Sequence, residues 1–565
     1  MFATPAVDCR REPDGLLVLR SRVPAGTPAP TVLHWLRRFA TETPEAALLT
    51  TATEAGRTAW SYAEAWQDVQ RAATALVHSG LRSGDRVVVL GPNSVEHLTM
   101  SLATMLAGAV AVPVAPQYAG ASADRHKLTE LLATLDPAVV WATDSAHAAV
   151  LKEALPDGSR AIVLIGQTAV RELLRTDHTD APALDAIDAG AAAKILLTSG
   201  STGRPKPVAY SQSMMTTNVQ MTLDVWPFLG GHRPVLVDWL PWNHAFGGNA
   251  NVNLVLSQGG TLHIDEAAGR PDRLDVTIRN LRRHRPTFHG AVPAGFAALL
   301  PALEADPAFR EAFFGRLDVM FSAGAAMHPT VFRRLSELSA TVRERPVPIV
   351  TGWGSTEVGP GATMVHAHGV APDCIGTPLP GVEIGLRPVG GKYELLVRGP
   401  CVADGYWHQP GPSRAAFTAD GWYYSGDAGE LIDADHPERG LRFAGRIADD
   451  FKLANGTWVD AGGIRANLLA RGGGRLRDIV VAGADQSAPC VLVWAAGPFG
   501  EEDLRLLLDA YNRENTKPST RILDGALLEP EGDEVGNKGQ LVRGAVLARR
   551  RPLIERMYDR QKAGS

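Results

Sequence analysis

From Lys194 to Val208 the chain reads KILLTSGSTGRPKPV. An apolar run with strand character opens into residues rich in hydroxyls, glycine and positive charge. Gly200 and Gly203 let the backbone turn tightly and come close to a ligand. Thr198, Ser199, Ser201 and Thr202 add hydroxyl donors, Lys206 adds a full charge, and Arg204 stands beside it. Backbone N–H groups and cations on one loop suit the oxygens of a triphosphate. The string is not the Gly-x-x-x-x-Gly-Lys-Ser/Thr loop of the Walker A pattern, because Arg204-Pro205-Lys206-Pro207 follows Gly203. A plain Ser/Gly turn after a strand has the same composition, so the rest of the chain has to decide.

Four further segments follow in order: PWNHAFGG, GWGSTEVGP, YYSGDAGEL and GRIADDFKLANGTWV, with a looser GNKGQ near the C-terminus. Together with TSGSTGRPK they resemble the motif series of the adenylate-forming superfamily, which holds acyl-CoA synthetases, adenylation domains and luciferases. The resemblance runs through most of the 565 residues. VLVDWLPWNHAFGGN, VTIRNLRRHRPT and DDFKLANGTWV look most like feruloyl-CoA synthases. The resemblance implies an α/β fold. A large, multi-subdomain N-terminal adenylation domain would span residues 1–448, and a small, mobile α+β lid would span 449–565, with Asp449 as the hinge.

It also implies a site. Thr198, Ser199, Gly200, Ser201, Thr202, Gly203 and Lys206 would grip the β- and γ-phosphates of ATP. Pro207 departs from the family, where a small residue follows the lysine. In GWGSTEVGP, Glu357 matches the magnesium-binding glutamate, a hard oxygen ligand of the kind that ion prefers. Thr356 matches its phosphate-contacting neighbour, Trp353 the aromatic residue that packs on adenine, and Gly354 and Ser355 belong to the same loop. SAGAAM, with Gly324, Ala325 and Ala326, resembles the segment lining adenine and the acyl group. Asp427 matches the aspartate that takes both ribose hydroxyls, since one carboxylate accepts two hydrogen bonds. Arg446 matches a ribose and phosphate contact, and Lys452, which follows the hinge, would contact bound nucleotide or order the second-step site. Lys538, bracketed by Gly536 and Gly539, is the candidate catalytic lysine; its charge would bridge the substrate carboxylate and the α-phosphate. For the acid, His244 would contact the carboxylate. Trp239, Trp242, Phe246, Gly247, His289, Gly290, Ser322 and Gly352 would line the pocket. His289, Gly290 and Ala294 differ from what feruloyl-CoA synthases carry, which leaves the identity of the acid open.

The implied reaction uses ATP and magnesium, with CoA as co-substrate. The acceptor stays open at this level: a carrier-protein thiol or an amine could replace CoA, or nitrite could be adenylated for attack by an arylamine. A non-catalytic nucleotide-binding regulator would be expected to lose its charged residues, yet Lys206, Glu357, Asp427, Arg446 and Lys538 are all present.

Such residues need an α/β scaffold. RVVVL (86–90), a helical stretch from Val95 to Ala107 and VAVPV (110–114) predict a βαβ unit and a parallel sheet. Ser61 and Glu64 predict a capping box, and Gly80 a helix stop. Strands are expected near residues 237, 263 and 320. After GRIADDFK come DIVVAG, CVLVWAA and the helical EEDLRLLLDAYNREN. Met214 and Met215 read as core. Arg549, Arg550 and Arg551 read as a solvated helix face, and His366 and His368 as a loop pair with no matching metal cluster. A net charge of −5 argues against a nucleic-acid partner. Four unpaired-looking cysteines, no stretch long enough to span a membrane and no secretory core at the start lead to the expectation of a cytoplasmic enzyme; the resemblance implies a small-molecule acid as substrate and a monomer or homodimer.

Overall fold

The computed structural model describes residues 1–53, 56–120, 124–177, 180–199, 205–389, 392–534 and 541–564. The βαβ unit is present. Strands Arg86–Leu90 and Val110–Val114 run parallel, with Arg86 opposite Val110, and helix Val95–Leu106 joins them. Both strands are buried β-branched runs, as a sheet covered on two faces requires. They sit inside a six-stranded sheet ordered Pro205–Ser211, Ala192–Ser199, Val110–Val114, Arg86–Leu90, Pro137–Ala142, Ile162–Ile165. Its first two strands are an antiparallel pair placing Lys206 opposite Thr198. Pro207 is accommodated because Pro205–Ser211 is the edge strand. The Pro207 carbonyl points away from the sheet and accepts the Trp407 N–H at 2.8 Å, so its missing N–H costs no ladder bond.

Ser61 and Glu64 form the expected capping box, and Gly80, at φ +99°, follows helix Tyr62–His78. The strands expected near 237 and 263, Val235–Asp238 and Thr261–Ile264, lie side by side and parallel in a four-stranded sheet. The strand near 320, Val319–Ser322, lies between Phe288–Ala291 and Ile349–Trp353, the parallel end of an eleven-stranded sheet. That sheet also carries Tyr423–Leu431 against Leu441–Arg446, the antiparallel pair bearing the YYSGDAGEL segment.

Beyond residue 449 a three-stranded sheet is covered on both faces. Alternation along the strands sends Ile479, Val481, Val491 and Val493 toward helices Ala461–Arg471 and Glu501–Glu514, while Val480, Leu492 and Trp494 face Val546, Met557 and Tyr558. Arg550 does not lie on a solvated face. It falls at the break between helices Arg543–Arg549 and Arg551–Gly564, turns inward, and pairs with Glu534 at 2.6 Å and Glu531 at 3.0 Å. This C-terminal unit meets the rest of the chain through Lys392, whose Nζ lies 2.7 Å from Asp450 and 2.6 Å from Asp460. Among the described residues no helix is long and apolar enough to cross a membrane.

Candidate active site

Two antiparallel neighbours, Asp427 and Arg446, occupy facing positions of adjacent strands. Their side chains pair, Arg446 Nε lying 3.0 Å from Asp427 Oδ1. The other carboxylate oxygen accepts the indole N–H of Trp353 at 2.9 Å, and the backbone N–H of Asp427 is held by Ser425 Oγ. Asp427 is buried while the Arg446 side chain is 61% exposed, so the pair stands at the rim of the core. Burial pushes the Asp427 carboxyl above its usual range and Arg446 pulls it back; the charges of Glu357 and Asp449 add to the upward push. Trp353 thus orients the Asp427 carboxylate.

Glu357 lies in the short helical turn Thr356–Val358 and is buried. Tyr406 donates its hydroxyl to Glu357 Oε1 at 2.9 Å. The Lys206 ammonium sits 4.9 Å from the centre of the same Tyr406 ring. Tyr210 donates to the Thr356 carbonyl, tying the turn to the edge strand that follows the phosphate loop. Ser355 begins the turn. Gly354 has no freedom to be anything larger, since a Cβ there would sit 2.0 Å from the Pro360 carbonyl oxygen. A cation, a tyrosine and a carboxylate therefore converge from three separate segments. Gly200, Ser201, Thr202, Gly203, Arg204, Gly536, Lys538 and Gly539 lie outside the described residues, as does the side chain of Ser199. Thr198 is the penultimate residue of strand Ala192–Ser199 and pairs with Lys206 across the ladder.

Gly324, at φ +88°, turns the chain after strand Val319–Ser322 and leaves Ala325 and Ala326 exposed. His244 precedes a π-helical turn, Phe246–Asn251. Gly247 and Gly248 press that turn onto the preceding loop: a Cβ would come within 2.5 Å of the Leu240 carbonyl oxygen and 2.1 Å of that of Trp242. Gly247 is therefore a point of backbone contact and presents no wall of its own. Phe246 meets Phe321 edge-on at 5.3 Å. A Cβ on Gly352 would lie 3.3 Å from the Phe321 ring, and one on Gly290 would lie 3.1 Å from Asn251. These residues mark the candidate acyl pocket. Trp239 stands against Gly269 and Gly295.

Three expected pocket residues face elsewhere. Successive strand residues point to opposite faces, so His289 turns away from Gly290. It is buried with Phe296 and Phe313 at ring distances of 5.3 and 5.2 Å, and burial pulls its pKa down to about 4. Trp242 packs edge-on against His97 at 5.5 Å on the inner side of the π-helical turn. The Ser322 side chain is buried, on the same strand face as Met320 in the core beneath the sheet. Lys452 is exposed beside Trp458. Asp449 lies 3.7 Å from Arg543 in the C-terminal unit. His366 is engaged by the Ala3 carbonyl and Thr377, and among the described residues no group of three or more His, Cys, Asp or Glu side chains could hold a metal ion.

Tyr406, Tyr210, Phe321 and Asn251 were not visible as site residues in the sequence. Tyr406 meets a partner 49 positions away, a contact with no local signature.

A model of the AMP-binding enzyme family matches residues 36–407. The chain is 29% identical over 411 residues to a feruloyl-CoA synthase from an Amycolatopsis species, covering 71% of this chain and 76% of that one. It is 28% identical over 386 residues to an indoleacetate–CoA ligase from Aromatoleum aromaticum, covering 65% and 71%. The fold matches that of the anthranilate CoA ligase AuaEII in complex with anthranoyl-AMP, with a TM-score of 0.75, 19% identity and coverage of 92% and 96%.

Proposed function

Since this chain belongs to the AMP-binding enzyme family, we propose that it is an AMP-forming ligase that activates an aromatic carboxylic acid of the hydroxycinnamate type as its acyl-adenylate and then passes the acyl group to CoA. The observation that carries this reading is the linked set Asp427–Trp353–Arg446 and Glu357–Tyr406–Lys206. It sets a ribose acceptor and an anchored carboxylate at the ends of the same strands and loops.

Both reactants are anions, so the site must cancel repulsion and hold them in line. In the first step the acid's carboxylate oxygen attacks the α-phosphorus and pyrophosphate departs. Lys206 and the loop before it neutralise the leaving group. Asp427 holds the ribose, with Trp353 and Arg446 fixing its two oxygens. Lys538 supplies positive charge between the carboxylate and the α-phosphate. The donor set suits magnesium: Glu357 offers a buried carboxylate oxygen oriented by Tyr406, and an ion held there would supply charge neutralisation at the phosphates. Phe246 and Phe321, packed edge to face, give the acid an aromatic corner to lie against. In the second step the unit from residue 449 onward turns about Asp449, withdraws Lys538 and admits the thiol. The CoA sulfur then bonds to the acyl carbon, and AMP leaves with the electron pair of the broken C–O bond. The two chain units, 1–448 and 449–565, are part of this proposal, as are the hinge and a cytoplasmic enzyme acting as a monomer or homodimer.

The test is pyrophosphate release from ATP across a panel of aromatic acids, with mass analysis of products in the presence and absence of CoA. Acid-dependent release and an acyl-CoA product are expected. Release that needs nitrite rather than an acid would overturn the assignment of the activated anion, and acyl transfer only to a carrier protein or amine would overturn that of the acceptor.

A further inference from the structure

Lys194 lies on the strand that leads into the phosphate loop, and its side chain runs inward. Its Nζ donates to the Gly248 carbonyl at 3.1 Å and to Asn249 Oδ1 at 2.9 Å. Both acceptors are neutral. Among the described residues no carboxylate offsets its charge, and burial alone pulls its pKa down to about 8. At pH 7 the ammonium still carries its proton. A buried ion without a counter-charge costs several kcal/mol, and a third N–H of the ammonium remains to be satisfied.

The ammonium borders a cavity of ≈ 20 Å³ lined by His97, Ser101, Trp242 and Asn253, with apolar side chains completing the wall. All four of these polar residues are more than nine-tenths buried. His97 Nε2, Ser101 Oγ, Trp242 Nε1 and Asn253 Nδ2 have no hydrogen-bond partner among the described residues. The indole and amide nitrogens are donors only, and the hydroxyl serves either way. His97 differs, because its Nδ1 faces the carbonyl oxygens of Gly91 and Pro92 and must hold the hydrogen. Its neutral ring therefore turns an acceptor into the cavity. His97 and Lys194 are the titratable groups among the lining residues, and no Asp or Glu is among them. The balance is one cation and an excess of donors. The volume is that of one to two waters, too small for phosphate or for an aromatic acid.

We propose that this cavity binds a small monovalent anion of no more than three heavy atoms, such as nitrite, formate or a halide, with Lys194 as its counter-ion and Ser101, Trp242 and Asn253 as donors. The site is separate from the acyl pocket and stands independently of the ligase reading. It lies against the same π-helical turn, since Lys194 holds Gly248 and Asn249 while Phe246 at the start of the turn meets Phe321.

Crystals of the full chain soaked in sodium bromide are expected to show an anomalous peak within contact of Lys194 Nζ, displaced by nitrite. In solution, sodium nitrite at constant ionic strength should raise the melting temperature, with gluconate, which is too large, as the control. Apparent affinity should fall about tenfold between pH 7 and pH 9 as Lys194 loses its proton. Lys194→Met should abolish the effect. Asn253→Asp, which supplies an internal carboxylate of the same shape, should abolish it as well and guards against misfolding of the first variant. Water without halide at Lys194, or equal nitrite stabilisation in both variants and the parent, would overturn the proposal.

Discussion

Two buried polar clusters flank the hairpin around the phosphate loop, and they are built on opposite principles. Around Asp427 and Glu357 every carboxylate has a partner: Arg446 and Trp353 for one, Tyr406 for the other. Around Lys194 the charge has only neutral partners. The paired cluster is pre-organised, and its exposed Arg446 lets a ligand enter without stranding a buried ion. The unbalanced cluster stores an electrostatic cost that a small anion would relieve. The difference separates charges already balanced within the protein from one that only a ligand would balance.

The comparison can be broken at several points. The largest effect is expected from Lys538→Ala, which should slow acyl-adenylate formation by about 10³-fold. CoA attack on supplied acyl-AMP should change little. Equal loss in both half-reactions, measured separately, would remove Lys538 from the first step. Glu357→Gln keeps the shape of the Tyr406 contact but removes the charge. It should lower pyrophosphate release by about 10²-fold, with partial recovery at high magnesium.

Lys194→Met probes the unbalanced cluster by stability. The folded pKa of Lys194, about 8, lies below its ordinary 10.5. Between those values the unfolded chain binds more protons, so the folded state gains stability as pH rises; below about 8 the penalty is complete. Chemical denaturation in gluconate buffer should show the parent gaining up to about 3 kcal/mol relative to Lys194→Met across that window. A parallel pH dependence of the two proteins would contradict an unpaired buried ammonium.

Asp427→Asn weakens one charge-assisted contact and leaves the rest of the cluster. An increase of about tenfold in the KM for ATP, with kcat nearly held, is expected. Unchanged KM would exclude Asp427 from nucleotide binding. The smallest effect belongs to His289→Leu. Because His289 lies beneath the sheet, acid selectivity should shift by less than about twofold. A large change in the preferred acid would return His289 to the pocket wall.

The signals that were legible in the chain were local ones. The capping box at Ser61 and Glu64, the stop at Gly80 and the run RVVVL each follow from neighbouring residues, and each is where the pattern puts it. The motif segments singled out Asp427, Glu357 and Trp353 as candidates, although the bond between Trp353 and Asp427 joins residues 74 positions apart and needed the fold. His289 was misread because a motif segment does not say which of two alternating faces looks into the pocket. Trp242 was misread because its indole packs against His97, a residue far away in the chain whose contact the motif segment does not show. Lys194 did leave a trace, a charge at the head of an apolar strand, but a strand end is also where a lysine usually escapes to solvent. Only its burial shows otherwise.

The glycines at 247, 248 and 354 bear on any effort to retarget the enzyme toward a different acid. Each leaves less room than a methyl group against main-chain oxygen, so libraries that randomise them would spend most of their members on chains that cannot close. Diversity belongs instead at Phe246, Phe321 and Gly290, where the neighbouring atoms are side chains that can give way.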